Sequence, residues 1–255
     1  MTDTRNVYIP LWNASKGVIT SYLYSSPPPS QSENDEKKSA RNILRHGPEI
    51  FSRDIQFIKD VNDELADMAE AGRRLLMICP IDFQSIDEDH LFLEYIGECQ
   101  KIAATQRRYL IFMIKNLPAG VSETKTDKRV TDLKKYAYKV YGQTENSDDI
   151  SFSIMQRSGF DAVGFSIDPD ADEKKSMQLM ESYARRALRA KIPELFLLNV
   201  TSLSLATAAV CSNYTYLGGA AIHAHVEKPD HIYRFENEHL FKDLMKDDVV
   251  SQGGK

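Results

Sequence analysis

Cysteine is scarce in this chain. Cys79, Cys99 and Cys211 are the three in 255 residues, far apart and set in apolar segments. No pair has C-x-x-C spacing, which argues against a structural zinc site. Odd in number, they read as reduced, buried thiols. Long hydrophobic runs are missing too. No stretch approaches the ~20 apolar residues of a membrane helix, so no membrane partner is expected. Positive charge is in deficit, with 32 Lys and Arg against 37 Asp and Glu, a net charge of -5. A general nucleic-acid binder needs a basic patch to neutralise phosphates, so no nucleic acid is expected as a partner. Arg107-Arg108, Lys134-Lys135 and Arg185-Arg186 fall on predicted helix surfaces, as solvated faces do. The segment Met1 to Asn6 has no apolar signal core, and with the reduced thiols this predicts a cytoplasmic protein.

The standard phosphate and nucleophile motifs are absent. No G-x-G-x-x-G follows a strand, and neither a P-loop nor a G-x-S-x-G elbow occurs. What remains is isolated. Gly218-Gly219 could bring backbone N–H groups to a phosphate, but a Gly pair more often marks a turn. His223 and His225 alternate on a predicted last strand over Ala220 to His223 and its continuation, with no carboxylate at ligand spacing beside them. Asp168, Asp170 and Asp172 follow a strand but lack the Gly and distal Glu of a calcium loop, and helix capping explains them more plainly. Tyr22 and Tyr24 point together, as packing residues. No catalytic, cofactor or metal residue is assigned on these grounds.

Hydrophobic residues make up 42% and charged residues 27%, enough for a sizeable core and an ordinary surface. Val7 to Trp12 and Val18 to Tyr24 read as a hairpin around Asn13-Ala-Ser-Lys-Gly17. Residues 25–47, rich in Pro and Ser and then charged, read as a flexible loop. Phe51, Ile55, Ile58, Val61, Leu65 and Met68 repeat at helical spacing up to a stop at Gly72. Leu75 to Cys79, Tyr109 to Ile114, Asp161 to Asp168 and Leu195 to Val200 are near-continuous apolar runs, as strands buried on both faces should be. A strand is also predicted near Tyr138 to Gly142. Helices are predicted over Asp87 to Gln106, Lys174 to Ala190, Leu203 to Ser212 and Glu236 to Met245. Alternating strands and helices imply right-handed crossovers and a parallel sheet. The expected fold is α/β, a single TIM-like (β/α)8 barrel with one antiparallel strand near the N-terminus. It would span residues 1–246, ahead of a disordered tail over 247–255.

The opening Tyr8-Ile-Pro-Leu-Trp-Asn-Ala-Ser-Lys-Gly-Val-Ile19 resembles the start of EAL domains, the cyclic di-GMP phosphodiesterases. The order of the later elements is similar too, through Gly159-Phe-Asp-Ala-Val163 and Leu217-Gly-Gly219. The resemblance implies metal ligands at strand ends. On this alignment Tyr22-Leu23-Tyr24 stands where Glu-Ala-Leu should, and Ser25-Ser26 replaces the Arg that follows. The expected Asn falls near Cys79-Pro80 and a Glu near Phe112-Met113. The paired Asp fall within Val140-Tyr-Gly-Gln-Thr144, the Lys near Gly164-Phe165-Ser166 and the late Glu segment at Asn199-Val-Thr-Ser202. Asp82 is the one acid close to any of these positions. The expectation drawn is a degenerate EAL domain that is not an enzyme and holds no cofactor. It would act as a regulatory protein-interaction module in bacterial motility or biofilm signalling. Its protein partner is unidentified, and weak cyclic di-GMP binding and a homodimer are compatible with this reading. One alternative is a metal-free receptor for cyclic di-GMP or another nucleotide, with Lys115 as a basic candidate. Another is new chemistry at Asp82, Lys115, Asp168 and Asn199, all just after predicted strands.

Overall fold

The computed structural model describes residues 7–25, 47–118, 120–144 and 151–234. Residues 26–46 of the loop predicted over 25–47, the helix over 236–245 and the tail over 247–255 lie outside them, while Ser25 ends a strand and Gly47 begins a helix.

β1 (Val7–Asn13) and β2 (Val18–Ser25) form the expected antiparallel hairpin. Asn13 shapes its turn: the side-chain Oδ1 accepts from Lys16 N at 3.1 Å and from the Ser15 hydroxyl at 2.8 Å. Six further strands follow in parallel: β3 (Leu76–Asp82), β4 (Leu110–Leu117), β5 (Lys139–Thr144), β6 (Ala162–Ser166), β7 (Leu195–Leu198) and β8 (Tyr216–Gly218). Each pairs with the strand before it, from β2 to β8. β8 then pairs antiparallel with β1, Leu11 opposite Gly218, and closes an eight-stranded barrel. β1 is the one antiparallel strand of that ring. A short β9 (Tyr233–Arg234) pairs with Val18 and Ile19 outside it.

Helices cover the outside. They are α1 (Gly47–Glu70), α2 (Phe83–Asp87), α3 (Asp89–Gln100), α4 (Glu123–Leu133), α5 (Phe152–Arg157), α6 (Glu173–Arg189) and α7 (Leu203–Cys211). The 3.6-residue stripe predicted for α1 is the buried one, from Phe51 to Met68. The helix predicted over Asp87 to Gln106 is α3 alone and ends at Gln100, and the short α2 stands before it, set off because the chain is extended at Glu88.

Two apolar layers hold the barrel. The larger lies between strands and helices and includes Trp12, Tyr22, Tyr24, Cys79 and Phe112. The smaller fills the barrel interior with Leu11, Leu23, Ile78, Ile111, Met113, Tyr141, Phe196 and Tyr216. Side chains on a strand alternate between faces, so these interior residues fix which neighbours point inward all the way to the strand ends.

Candidate functional site

The parallel strands end together, and their last inward residues change from apolar to polar. Above Leu23 comes Ser25; above Ile78, Asp82; above Met113, Lys115; above Tyr141, Gln143; and above Gly164, Ser166. With Arg53 and Asp54 from α1, Asn199 after β7 and His225, they line an open cavity of about 430 Å³. That is a usual volume for a small-molecule site, at the end of the barrel where such sites form. A groove of about 530 Å³ between α6 and α7, at the opposite end, has Leu188, Pro193 and Cys211 on its walls and no such convergence of polar groups.

Asp54 organises one side of the mouth. It is fully buried. Its Oδ2 accepts from the backbone N–H of Asp82 and from the Ser85 hydroxyl, both at 2.7 Å. Its Oδ1 takes the Arg53 guanidinium at 2.9 and 3.1 Å. Burial raises its pKa, against the Arg53 charge and these hydrogen bonds. Asp82 caps α2 through Gln84 N at 3.0 Å and accepts from Asn116 Nδ2 at 2.7 Å. Lys115, opposite Asp82 in the β3–β4 register, forms neither a hydrogen bond nor an ion pair with the described residues. Burial and the Arg53 charge lower its pKa, while Asp82 and Asp54 oppose that. Gln143 donates to the Ser166 hydroxyl at 3.0 Å, leaving its buried Oε1 without a partner among the described residues.

Of the residues singled out in the sequence, the structure brings Asp82, Lys115 and Asn199 to the mouth. Asp172 caps α6 through Lys175 N at 3.0 Å, and Asp168 accepts from Asp170 N at 3.0 Å in the preceding turn. They serve the backbone, as capping predicts. The predicted strand from Ala220 to His223 is not formed. β8 ends at Gly218, and Gly219 turns at φ +149°, where a Cβ would lie 2.3 Å from the Val200 nitrogen. His223 and His225 therefore share no strand face: His225 lines the mouth, while His223 packs on Tyr233 with ring centroids 4.5 Å apart. Cys79 and Cys99 are buried as expected, but Cys211 is exposed, because it ends α7 on its outer side.

Arg53 and Asp54 were missed by sequence reasoning. The signal was present, since Asp54 sits three residues after Phe51 and four before Ile58, on the apolar stripe of α1. An acid there must find partners.

The resemblance implies divalent ions at this mouth, and the donors present do not fit them. Every oxygen of Asp54 and Asp82 already accepts from the scaffold. Among the described residues no group of three or more His, Cys, Asp or Glu could hold a metal.

No protein-family model and no curated protein sequence matches the chain. Solved structures match over most of its length. One is the Bacillus subtilis YkuI protein, described with an EAL domain in complex with substrate c-di-GMP and calcium. It is 14% identical over 97% of this chain and 61% of its own, with a TM-score of 0.65. The Xanthomonas citri FimX EAL domain in complex with c-diGMP is 11% identical over 89% of each chain, with a TM-score of 0.62. The PaMucR phosphodiesterase, in a c-di-GMP complex, is 9% identical over 92% of this chain and 98% of its own, with a TM-score of 0.61. This chain thus spans about three-fifths of YkuI.

One expectation is corrected here. The reading that the chain is not an enzyme rested on apolar residues at ligand positions. The barrel divides those positions: Tyr22, Cys79 and Phe112 belong to the layer under the helices, whereas Leu23, Pro80, Ser166 and Asn199 line the mouth. The inward residues at the strand ends are polar and titratable. The fold is also shared with a protein described as a phosphodiesterase and with one described as holding its substrate. Loss of catalysis does not follow. At these identities the likeness establishes architecture, and the architecture of this chain is the closed α/β barrel of the EAL domains.

Proposed function

We propose that this chain is a regulatory domain of cyclic di-GMP signalling that takes a nucleotide at its barrel mouth and acts on a partner protein. The observation that carries the reading is the mouth itself. A polar ring of Lys115, Gln143, Ser166 and Asn199 stands over an apolar floor of Leu23, Pro80 and Leu198. Such a floor suits a base or sugar face, and such a ring suits phosphates and amide edges. The barrel that presents it is the one in which YkuI and FimX are described with c-di-GMP.

The test is isothermal titration of the purified chain with cyclic di-GMP, followed by chromatography of the same samples. Saturable binding supports the nucleotide reading. Linear dinucleotide in the chromatogram makes the domain a hydrolase rather than a receptor. No heat and no turnover, in buffers with and without Mg²⁺, rejects the nucleotide reading. Size-exclusion of the chain with and without ligand then reads whether occupancy changes its self-association.

A further inference from the structure

Lys115 presents an unusual balance of charge and burial. It ends the inward face of β4, and its register partner is Asp82. Its side chain is half-buried and lines the open cavity, and its ammonium has three donors to place. Yet Lys115 meets no acceptor within hydrogen-bond or ion-pair range among the described residues. The nearby carboxylates are engaged elsewhere: Asp54 holds Arg53, Ser85 and the Asp82 backbone, and Asp82 holds Asn116 and Gln84. Through space they oppose the lowering of its pKa by burial and by Arg53.

A second vacancy faces the same cavity. Gln143 Oε1 is buried with no donor to satisfy it among the described residues, and its own amide is fixed by Ser166. A free cation and a free acceptor on neighbouring strands β4 and β5 describe a ligand with an anionic group and an N–H or O–H beside it.

We infer that Lys115 is the built-in cation of the mouth: it binds a phosphoryl group directly, with no divalent ion between, while Gln143 accepts a hydrogen bond from the same ligand. A divalent ion is disfavoured there because a fixed ammonium stands beside the carboxylates, and among the described residues no group of three or more His, Cys, Asp or Glu could hold one. The inference rests on the nucleotide reading for the identity of the ligand, though not for the existence of the anion site.

Titration of the full chain with cyclic di-GMP in EDTA and in Mg²⁺ is expected to give affinities within about twofold of each other. Lys115→Met is expected to weaken binding by about tenfold or more, the scale of a lost charged hydrogen bond. Lys115→Arg, which keeps the charge, should recover most of that loss. Gln143→Leu should weaken cyclic di-GMP but leave pyrophosphate unaffected. Binding abolished by EDTA, or unchanged in Lys115→Met, overturns the inference. If cyclic di-GMP does not bind at all, pyrophosphate serves as the second probe, with the Lys115 side-chain nitrogen followed by NMR in wild type and assigned by its loss in Lys115→Met. A saturable shift of that resonance keeps the anion site and discards the dinucleotide; a resonance that does not move discards the site.

Discussion

The carboxylate of Asp54, in the second turn of α1, accepts the backbone N–H of Asp82 at 2.7 Å. This bond ties a helix to the end of β3 across 28 residues and sets the polar side of the mouth. Because burial is the largest influence on Asp54, its folded pKa lies above the ordinary aspartate value of 3.8. A carboxyl raised in this way favours the folded state while it is protonated. That contribution is complete below the unfolded value and disappears as pH rises through the folded one. Asp54→Asn carries no such titration. Wild type should therefore lose stability relative to Asp54→Asn as pH rises from about 4 toward neutral. Melting temperatures of both proteins across that range check it. A difference that stays constant, or grows in favour of wild type, contradicts the assigned direction.

Gly164 on β6 lies opposite Phe196 on β7, and the strands approach too closely for any side chain. A Cβ there would fall 1.9 Å from the Phe196 carbonyl oxygen and 2.6 Å from its ring. The obstacle is partly backbone, so no rotamer change relieves it. Gly164→Ala should cost roughly 3 kcal/mol or more, at the upper end for overpacked sites. Gly97 offers the contrast: it lies in α3 with nothing within 4 Å of a new Cβ. Gly97→Ala should add about 0.5–1 kcal/mol through helix propensity. Denaturant unfolding of the two variants gives opposite signs if the barrel closes as described.

Much of this barrel was legible in the sequence, and the part that was not has one physical source. Leu110-Ile-Phe-Met-Ile114 is apolar at every position because β4 is covered on both faces. Such a run announces a strand while concealing which residues point inward. The hairpin and the long helices were readable because turn residues and the 3.6-residue stripe carry direct signals. The facing of β2 to β5 carries none, so Tyr22 was matched to an inward ligand although it packs outward and donates to the His231 carbonyl. Lys115 was recognisable as a strand-end residue. Its lack of a partner depends on how Asp54 and Asp82 are occupied, and pairings 28 and 34 residues apart leave no trace in local pattern.

Arg129 is the most buried cation among the described residues, at 1% exposure. From α4 its guanidinium donates to the Ile86 carbonyl at 2.6 Å, the Asp87 carbonyl at 3.0 Å and Asp89 at 2.5 Å. It also lies 4.3 Å from the centre of the Phe92 ring. One side chain thus closes the junction between α2 and α3, where the C-terminal end of α2 leaves carbonyls that need donors. Arg129→Met should destabilise by roughly 2–4 kcal/mol, since it strands those acceptors. Arg129→Lys should recover little, because a single ammonium cannot reproduce the planar fork. Full stability in Arg129→Met, measured by chemical unfolding, would show that water replaces the guanidinium at no cost.

The three cysteines should separate cleanly by reactivity. Cys79 and Cys99 are fully buried, and burial drives both thiols far above their ordinary values. Only the thiolate attacks a disulfide reagent or an iodoacetamide, so neither should react while the barrel is closed. Cys211 is exposed at the end of α7, where a reagent reaches it. Titration of the native chain with an aromatic disulfide should release close to one equivalent of thiolate quickly, with the remaining two appearing on the timescale of unfolding. Peptide mapping should place the fast adduct on Cys211, and Cys211→Ser should abolish the fast phase without changing the slow one. Rapid modification of Cys79 in the folded protein would mean that β3 opens from its pairing with β2 and β4, a motion that the packing of Cys79 beneath α1 and α3 does not permit.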